Sequence, residues 1–263
     1  MRPDRRPGTL PTISVVIPAR DDGPALARCL AALERQTVRP DEVVVVDNGS
    51  RDDTAEVARR HGARVVTEPR PGIPFAAAAG YDAAQSELVL RCDADTVPGP
   101  RWVERLATSL ARRPGLAAVS GVGTFHDLPP GVRHVAAVGY LGAYYACTHL
   151  ALGHTALWGS NMAFRQHAWA QVRDEVHRED AELHDDMDLA FVLGPGRGIR
   201  LVAVGVGVSA RSLRPGQWRR RFRRANRTLA VNWAVSPPWL RWRDRYQPRV
   251  AQIRSWVTRK PVR

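Results

Sequence analysis

The feature that most constrains this chain is a recurring unit: a short β-branched or apolar run, a polar cluster, then a helix-length stretch. Ile13-Ser-Val-Val-Ile17 ends at Pro18, and Val43-Val-Val-Val46 ends at Asp47-Asn-Gly-Ser50. Ala63–Thr67 is a third run, Leu88-Val-Leu90 ends near Asp93, and Leu116–Ser120 is a fifth. Runs this short and apolar suit strands covered on both faces. Between them, Pro24–Gln36 carries Leu26, Leu30 and Leu33 at helical spacing. Asp52 or Asp53 can cap a helix to about His61, Phe75–Gln85 is Ala-rich, and Pro100–Arg112 has proline near its first turn. Such alternation predicts an α/β fold with a mostly parallel central sheet flanked by helices.

After Gly121 the regularity weakens. Thr124–Gly131 reads as loop, a strand is expected near Asn161–Arg165, and an acidic helix over His184–Leu193. Further strands are expected at Ile199–Val204 and Val206–Ser209, and a basic helix from about Pro215. The apolar segment Val135–Cys147 is too short to cross a bilayer and is expected as a buried helix. Met1–Pro11 lacks the pattern of a signal peptide. Three cysteines, Cys29, Cys92 and Cys147, are an odd, scattered set that suits reduced thiols and a cytoplasmic location.

Three polar clusters follow strands at equivalent points: Ala19-Arg-Asp-Asp22, Asp47-Asn-Gly-Ser50 and Asp93-Ala-Asp95. Open parallel sheets bind ligands at the carboxyl ends of their strands, so these clusters are expected on one rim. Asp93 and Asp95 can reach the same hard cation, and carboxylate oxygens suit Mg²⁺ or Mn²⁺. Each cluster alone has a plainer reading as a solvated turn or helix cap. Asp185, Asp186 and Asp188 fall within one turn at a helix start, where they favour the helix dipole. Three acids exceed what capping requires, so a general base, or a further metal ligand together with His184, is expected there.

These motifs, with Gly159-Ser-Asn-Met-Ala-Phe-Arg165, come in an order and spacing that resembles the inverting glycosyltransferases of family two, over residues 13–210. The resemblance implies a GT-A, Rossmann-like fold and a divalent-metal-dependent transfer of sugar from a nucleoside diphosphate to an acceptor hydroxyl. It implies that Pro18, Ala19, Arg20 and Asp22 line the nucleotide pocket, with Asp47, Asn48 and Ser50 near the base. Asp93 and Ala94 would face the donor, and Asp95, with Asp93, the Mn²⁺ or Mg²⁺ ion. Trp158, Gly159, Ser160 and Asn161 would form a turn near sugar and acceptor. Asp186 matches the catalytic base, and Asp185 stands where the family commonly has Glu. The acceptor hydroxyl would belong to a glycan, a lipid-linked acceptor or a small molecule. Two positions depart from the pattern. Ala77 and Ala78 replace a usual Arg-Asn pair, and Val208-Ser-Ala-Arg211 lacks a His that some members place near the metal.

Two alternatives are carried alongside. A nucleotidyltransferase on a similar sheet would open with a Gly-rich loop after the first strand, where this chain has Pro18-Ala-Arg-Asp-Asp22. A catalytically degenerate relative is kept open by Ala77 and Ala78, against an intact Asp95 and Asp186.

The net charge of +13 is unevenly placed: residues 211–263 hold 16 of the 39 Lys and Arg and one of the 26 acids. Five of eight Trp also lie there: Trp218, Trp233, Trp239, Trp242 and Trp256. We therefore divide the chain into a transferase-like domain, 1–211, and an Arg/Trp-rich extension, 212–263. Interleaved Arg and Trp suit an anionic membrane surface, single-stranded nucleic acid, or a packed helix with a solvated basic face. The near-neutral body and acidic rim argue against nucleic acid. The membrane reading puts the protein on the inner face of the plasma membrane.

Overall fold

The computed structural model describes residues 10–214 and 216–247. Pro215, Trp256 and the last basic residues of the extension lie outside them.

The first half of the chain builds parallel sheet. β1 (Ile13–Ala19), β2 (Glu42–Asp47), β3 (Arg64–Thr67) and β4 (Leu88–Arg91) run in register in the order β3-β2-β1-β4. They are joined by α1 (Gly23–Glu34), α2 (Thr54–Arg60) and α3 (Ile73–Ala83). Val44, Val45 and Val46 are wholly buried, as expected of a strand covered on both faces. The second half adds β5 (Val97–Pro98), α4 (Trp102–Ala111), β6 (Ala118–Phe125), α5 (Pro130–Leu152), β7 (Met162–Arg165), α6 (Gln166–Val172), α7 (Asp185–Leu193), β8 (Ile199–Val208) and α8 (Gln217–Val235). β7 pairs antiparallel with β4 and β6, β8 runs parallel to β6, and β5 lies antiparallel at the edge. The result is the expected α/β fold, an eight-stranded, mostly parallel sheet flanked by helices.

Two apolar layers cover the sheet. Leu26, Leu30, Val57, Trp102 and Leu106 pack on one face; Ala76, Tyr81, Trp169, Leu189 and Phe191 pack on the other.

Several sequence expectations are corrected. The loop expected from Thr124 begins later, because β6 continues to Phe125. Gly121 and Gly123 lie within this strand. A Cβ on Gly121 would lie 2.2 Å from the Asn161 amide, and one on Gly123 2.5 Å from the Trp158 ring. They are small because other side chains cross the strand there. The two strands expected over 199–209 form one, β8, paired along β6 through Gly205 and Gly207.

The largest correction concerns Val135–Cys147. It is not a short buried helix but the middle of α5, 23 residues long. Pro130 starts the helix, and Gly153, at φ +75°, ends it. Ala137, Leu141, Thr148 and Leu152 face inward, while Val135, Val138 and Leu150 are 74%, 74% and 67% exposed. By length and composition α5 is apolar enough to cross a bilayer, and 22% of its apolar window is buried.

The basic helix α8 packs on α7. Thr228 Oγ1 accepts the His184 N–H at 2.9 Å, and Asn232 Nδ2 donates to Asp188 at 2.7 Å. A last helical stretch, 238–247, anchors through buried Arg241, which donates to the carbonyls of Leu152 and Phe191.

Candidate active site

The carboxyl ends of β1, β2 and β4 open into a cleft of about 720 Å³. All three polar clusters reach it: Pro18, Ala19, Arg20 and Asp22 after β1; Asn48 after β2; Asp93, Ala94 and Asp95 after β4. Trp158, Gly159 and Ser160 form a further wall, and Asp185 and Asp186 enter from the start of α7. Asp95 and Asp186, distant in sequence, therefore share one cavity.

At one end lies an acidic rim. Arg211 donates to Asp22 at 2.6 Å and to Asp95 at 2.9 Å. Burial, together with the negative charges of Asp93 and Asp22, pushes the Asp95 carboxyl above its usual range, and Arg211 opposes this. Asp93 accepts from Ser160 Oγ at 2.5 Å and from Arg91 at 3.2 Å.

At the other end lies the start of α7. Asp186 Oδ2 accepts the Gly159 N–H at 2.7 Å, and its Oδ1 accepts the Met187 N–H at 2.8 Å. Two backbone donors thus fix the carboxylate at the cleft. Asp185 accepts from Arg91, and burial, reinforced by Asp186 and Asp93, raises its carboxyl to about 6 against the pull of Arg91. Arg91 is the hinge of the arrangement. It is 2% exposed and also donates to Tyr81 Oη at 3.3 Å. A Cβ on Gly159 would fall 2.6 Å from its guanidinium, so the Trp158–Ser160 turn needs glycine to lie over it.

Other expected site residues are placed elsewhere. Asn161 is wholly buried; it accepts from Trp102 Nε1 and donates to the carbonyls of Val122 and Val204. It braces the sheet and does not line the cleft. Asp47 and Ser50 are not among the residues that line the cleft; Asp47 accepts the Ser50 N–H and Ser50 Oγ accepts the Asp21 N–H. The Asn48 side chain pins the 68–72 loop through Glu68, Arg70 and Gly72. Asp188 turns away to His177 and Asn232. His184 lines the cleft, but its Nε2–H donates to the Arg221 carbonyl at 3.0 Å, which takes the ring out of the acidic rim. Sequence reasoning passed over Arg91 and the α8 arginines Arg220, Arg221 and Arg224, which also line the cleft. Arg91 had a visible signal: a charge closing the otherwise apolar run Leu88-Val-Leu90.

No three His, Cys, Asp or Glu side chains among the described residues group into a metal cage. The donor set nonetheless fits Mg²⁺ or Mn²⁺ held partly by a ligand. Such ions are commonly bound by one or two carboxylates plus substrate phosphates. Asp95, strained by neighbouring negative charge and already holding a cationic guanidinium, offers one such carboxylate.

Comparison with known proteins fits this geometry. The profile described as Glycosyl transferase family 2 matches residues 14–179. An uncharacterized glycosyltransferase of Mycobacterium tuberculosis is 46% identical over 83 residues, 32% of this chain and 36% of that protein. An undecaprenyl-phosphate 4-deoxy-4-formamido-L-arabinose transferase of Pseudomonas paraeruginosa is 33% identical over 117 residues, 41% of this chain and 34% of that protein. The chain thus spans about a third of the length of these curated relatives. Among solved structures, a mannosyltransferase from Pyrobaculum calidifontis in complex with GDP-Man and Mn²⁺ superposes with TM-score 0.66 at 20% identity, covering 91% of this chain and 70% of that one. Glucosyl-3-phosphoglycerate synthase from M. tuberculosis, with Mn²⁺, UDP-glucose and phosphoglyceric acid, gives 0.60 at 22%, covering 89% and 86%. These likenesses establish the fold.

Proposed function

We propose, from the premise that this chain belongs to glycosyl transferase family 2, that it moves a sugar from a nucleoside-diphosphate sugar to an acceptor hydroxyl, inverting the anomeric carbon. The observation that carries the reading is the single cleft onto which Asp95 and Asp186 both open, one beside a cationic side chain, the other fixed by two backbone donors.

In this reading Pro18 to Asp22 and Asn48 line the nucleotide end, with Asp47 and Ser50 supporting the turn. Asp93, steadied by Ser160 and Arg91, faces the ribose. Asp95, with Asp93 beside it, would hold a Mn²⁺ or Mg²⁺ ion against the diphosphate; bound there, such an ion offsets negative charge on the leaving group. Arg211 stands at the same rim and supplies a further positive charge to the diphosphate. Asp186 takes the acceptor's proton as its oxygen bonds to the anomeric carbon and the sugar–phosphate bond breaks. One base suffices, because a diphosphate leaves without a general acid. Asp185, held by Arg91, positions the turn from which Asp186 projects.

Residues 1–211 are assigned to this chemistry, and the part of 212–263 that does not line the cleft to contact with an anionic membrane surface at the cytoplasmic face. Trp239 is 71% exposed, and an exposed Trp on a helix rich in Arg suits the headgroup region.

Thermal shift with UDP, GDP, dTDP and CDP, each with and without Mn²⁺, tests the core reading. One nucleotide should stabilise the protein in a metal-dependent way. Asp95→Ala should abolish that shift and Asp186→Ala should keep it. Absence of any metal-dependent shift, or its survival in Asp95→Ala, rejects the assignment.

A further inference from the structure

We propose that the first turns of α8 form an anion subsite for the acceptor, so that the acceptor is a phosphate-bearing molecule gripped by Arg220 and Arg221. This rests on the transferase reading above and narrows its acceptor.

Six arginines line the cleft, and the first, Arg20, lies 3.8 Å from Asp21. Arg91 is engaged by Asp185 and Asp93, and Arg211 by Asp22 and Asp95. Arg224 is buried and donates to the Leu183 carbonyl. Arg220 and Arg221 also line the cleft, yet among the described residues neither has a carboxylate within ion-pair distance. Acids were within reach of this helix. Arg223 takes Glu182 at 2.8 Å, and Arg227 takes Asp180 at 2.6 Å. Glu182 itself lines the cleft but pairs with Arg223. The helix thus gives Arg223 and Arg227 an acid each and, among the described residues, leaves Arg220 and Arg221 without one at the cavity.

Their place in the cleft gives them an assignment. Arg221 lies over the Tyr140 ring, 5.6 Å from its centroid, and its carbonyl holds His184, two residues before Asp186. The nucleotide end, with Asp22, Asp93, Asp95 and Arg211, is built from other elements. An anion at Arg220 and Arg221 therefore stands beside the α7 start that carries Asp186 and apart from the residues assigned to the nucleotide, which is the place this proposal gives to the acceptor. Two guanidinium forks suit the bidentate geometry of phosphate oxygens. A phosphomonoester can come from a soluble molecule or from a lipid.

The test is calorimetric titration of the full chain, without metal, with glycerol 3-phosphate, with glycerol, and with 1-oleoyl-glycerol 3-phosphate, which keeps both a phosphomonoester and a free hydroxyl, in neutral detergent micelles. One phosphate ester should bind and glycerol should not; which ester binds more tightly identifies the source. Arg220→Gln/Arg221→Gln should weaken that ester about tenfold or more, the loss expected of charge-assisted hydrogen bonds. The exposed single change Arg220→Gln should weaken it in the same direction, and Arg220→Lys/Arg221→Lys should restore part of the affinity. The nucleotide thermal shift should persist in all variants. Glycerol binding as tightly as both esters, equal ester affinity in wild type and Gln variants, or loss of the nucleotide shift instead would each overturn the proposal. A wild type that binds no nucleotide sinks the transferase reading separately, since ester binding is read directly.

Discussion

Arg91 and Asp185, 94 positions apart in the chain, form an ion pair in which the arginine side chain is only 3% exposed. The pair joins the last residue of β4 to the first of α7, and through Asp93 it also joins the nucleotide end of the cleft to the base end. Removing one partner of a buried pair leaves the other charge uncompensated, which costs roughly 3–5 kcal/mol. Arg91→Ala should lower unfolding free energy by about that amount in urea titrations. Arg91→Lys should fall between, since an ammonium cannot serve Asp185, Asp93 and Tyr81 with one planar fork.

Asp186 should separate chemistry from binding. Asp186→Asn keeps an acceptor for the Gly159 N–H but removes the basic oxygen. Turnover should drop by about 10²–10⁴, the usual worth of a positioned base, while the metal-dependent nucleotide shift stays as in the wild type. Equal loss of both would mean that the side chain is structural.

Gly159→Ala asks whether the turn must touch the arginine. The added methyl would meet the Arg91 guanidinium, which is packed on every side and has little room to withdraw. A stability loss of about 1–3 kcal/mol is expected, as for overpacking elsewhere. Turnover should fall as well, because the same N–H orients Asp186. Denaturation and steady-state rates on one preparation check both.

The fold should also carry an acid sensitivity at His154, remote from the cleft. Its Nδ1–H donates to the Thr155 carbonyl, and its Nε2 accepts from Arg241 at 3.0 Å. Burial, with Arg241 close by, lowers this imidazole to about 4. The unfolded side chain titrates near 6.5, so the unfolded state takes up the proton first. Stability from this site is complete above about pH 6.5 and declines as pH falls toward 4, by up to about 3 kcal/mol. Urea midpoints for wild type and His154→Gln at pH 7.5 and 4.5 should show the smaller acid loss in the variant.

The parallel half of the sheet was legible because strands covered on both faces must be short and apolar, and each ended in polar residues. The cleft followed, since the topology brings Asp22, Asn48 and Asp93 to one edge. Local pattern misled where tertiary contact decides. The pattern weakens after Gly121, yet β6 runs on through Gly121 and Gly123, whose small size is set by Asn161 and Trp158, which no local window contains. Asn161 lies in the right motif, but its amide is consumed by Trp102 and two strand carbonyls. The apolar run of α5 was visible, but which of its faces meets the body was not. Ala77 and Ala78 looked like a loss of polar contacts. In the fold they line a small apolar pocket with Tyr81 and Trp169, and the cation beside Asp185 comes from β4 instead.

The bond from His184 to the Arg221 carbonyl has a practical corollary for anyone trimming this polypeptide. A version cut at residue 211 would strip more than a decorative appendage. It would leave the Leu183 carbonyl and the His184 ring without their partners and take Asn232 from the Asp188 carboxylate, all within a few residues of Asp186. The minimal working unit should accordingly keep α8, and a shortened protein that fails in assays would say little about the remainder.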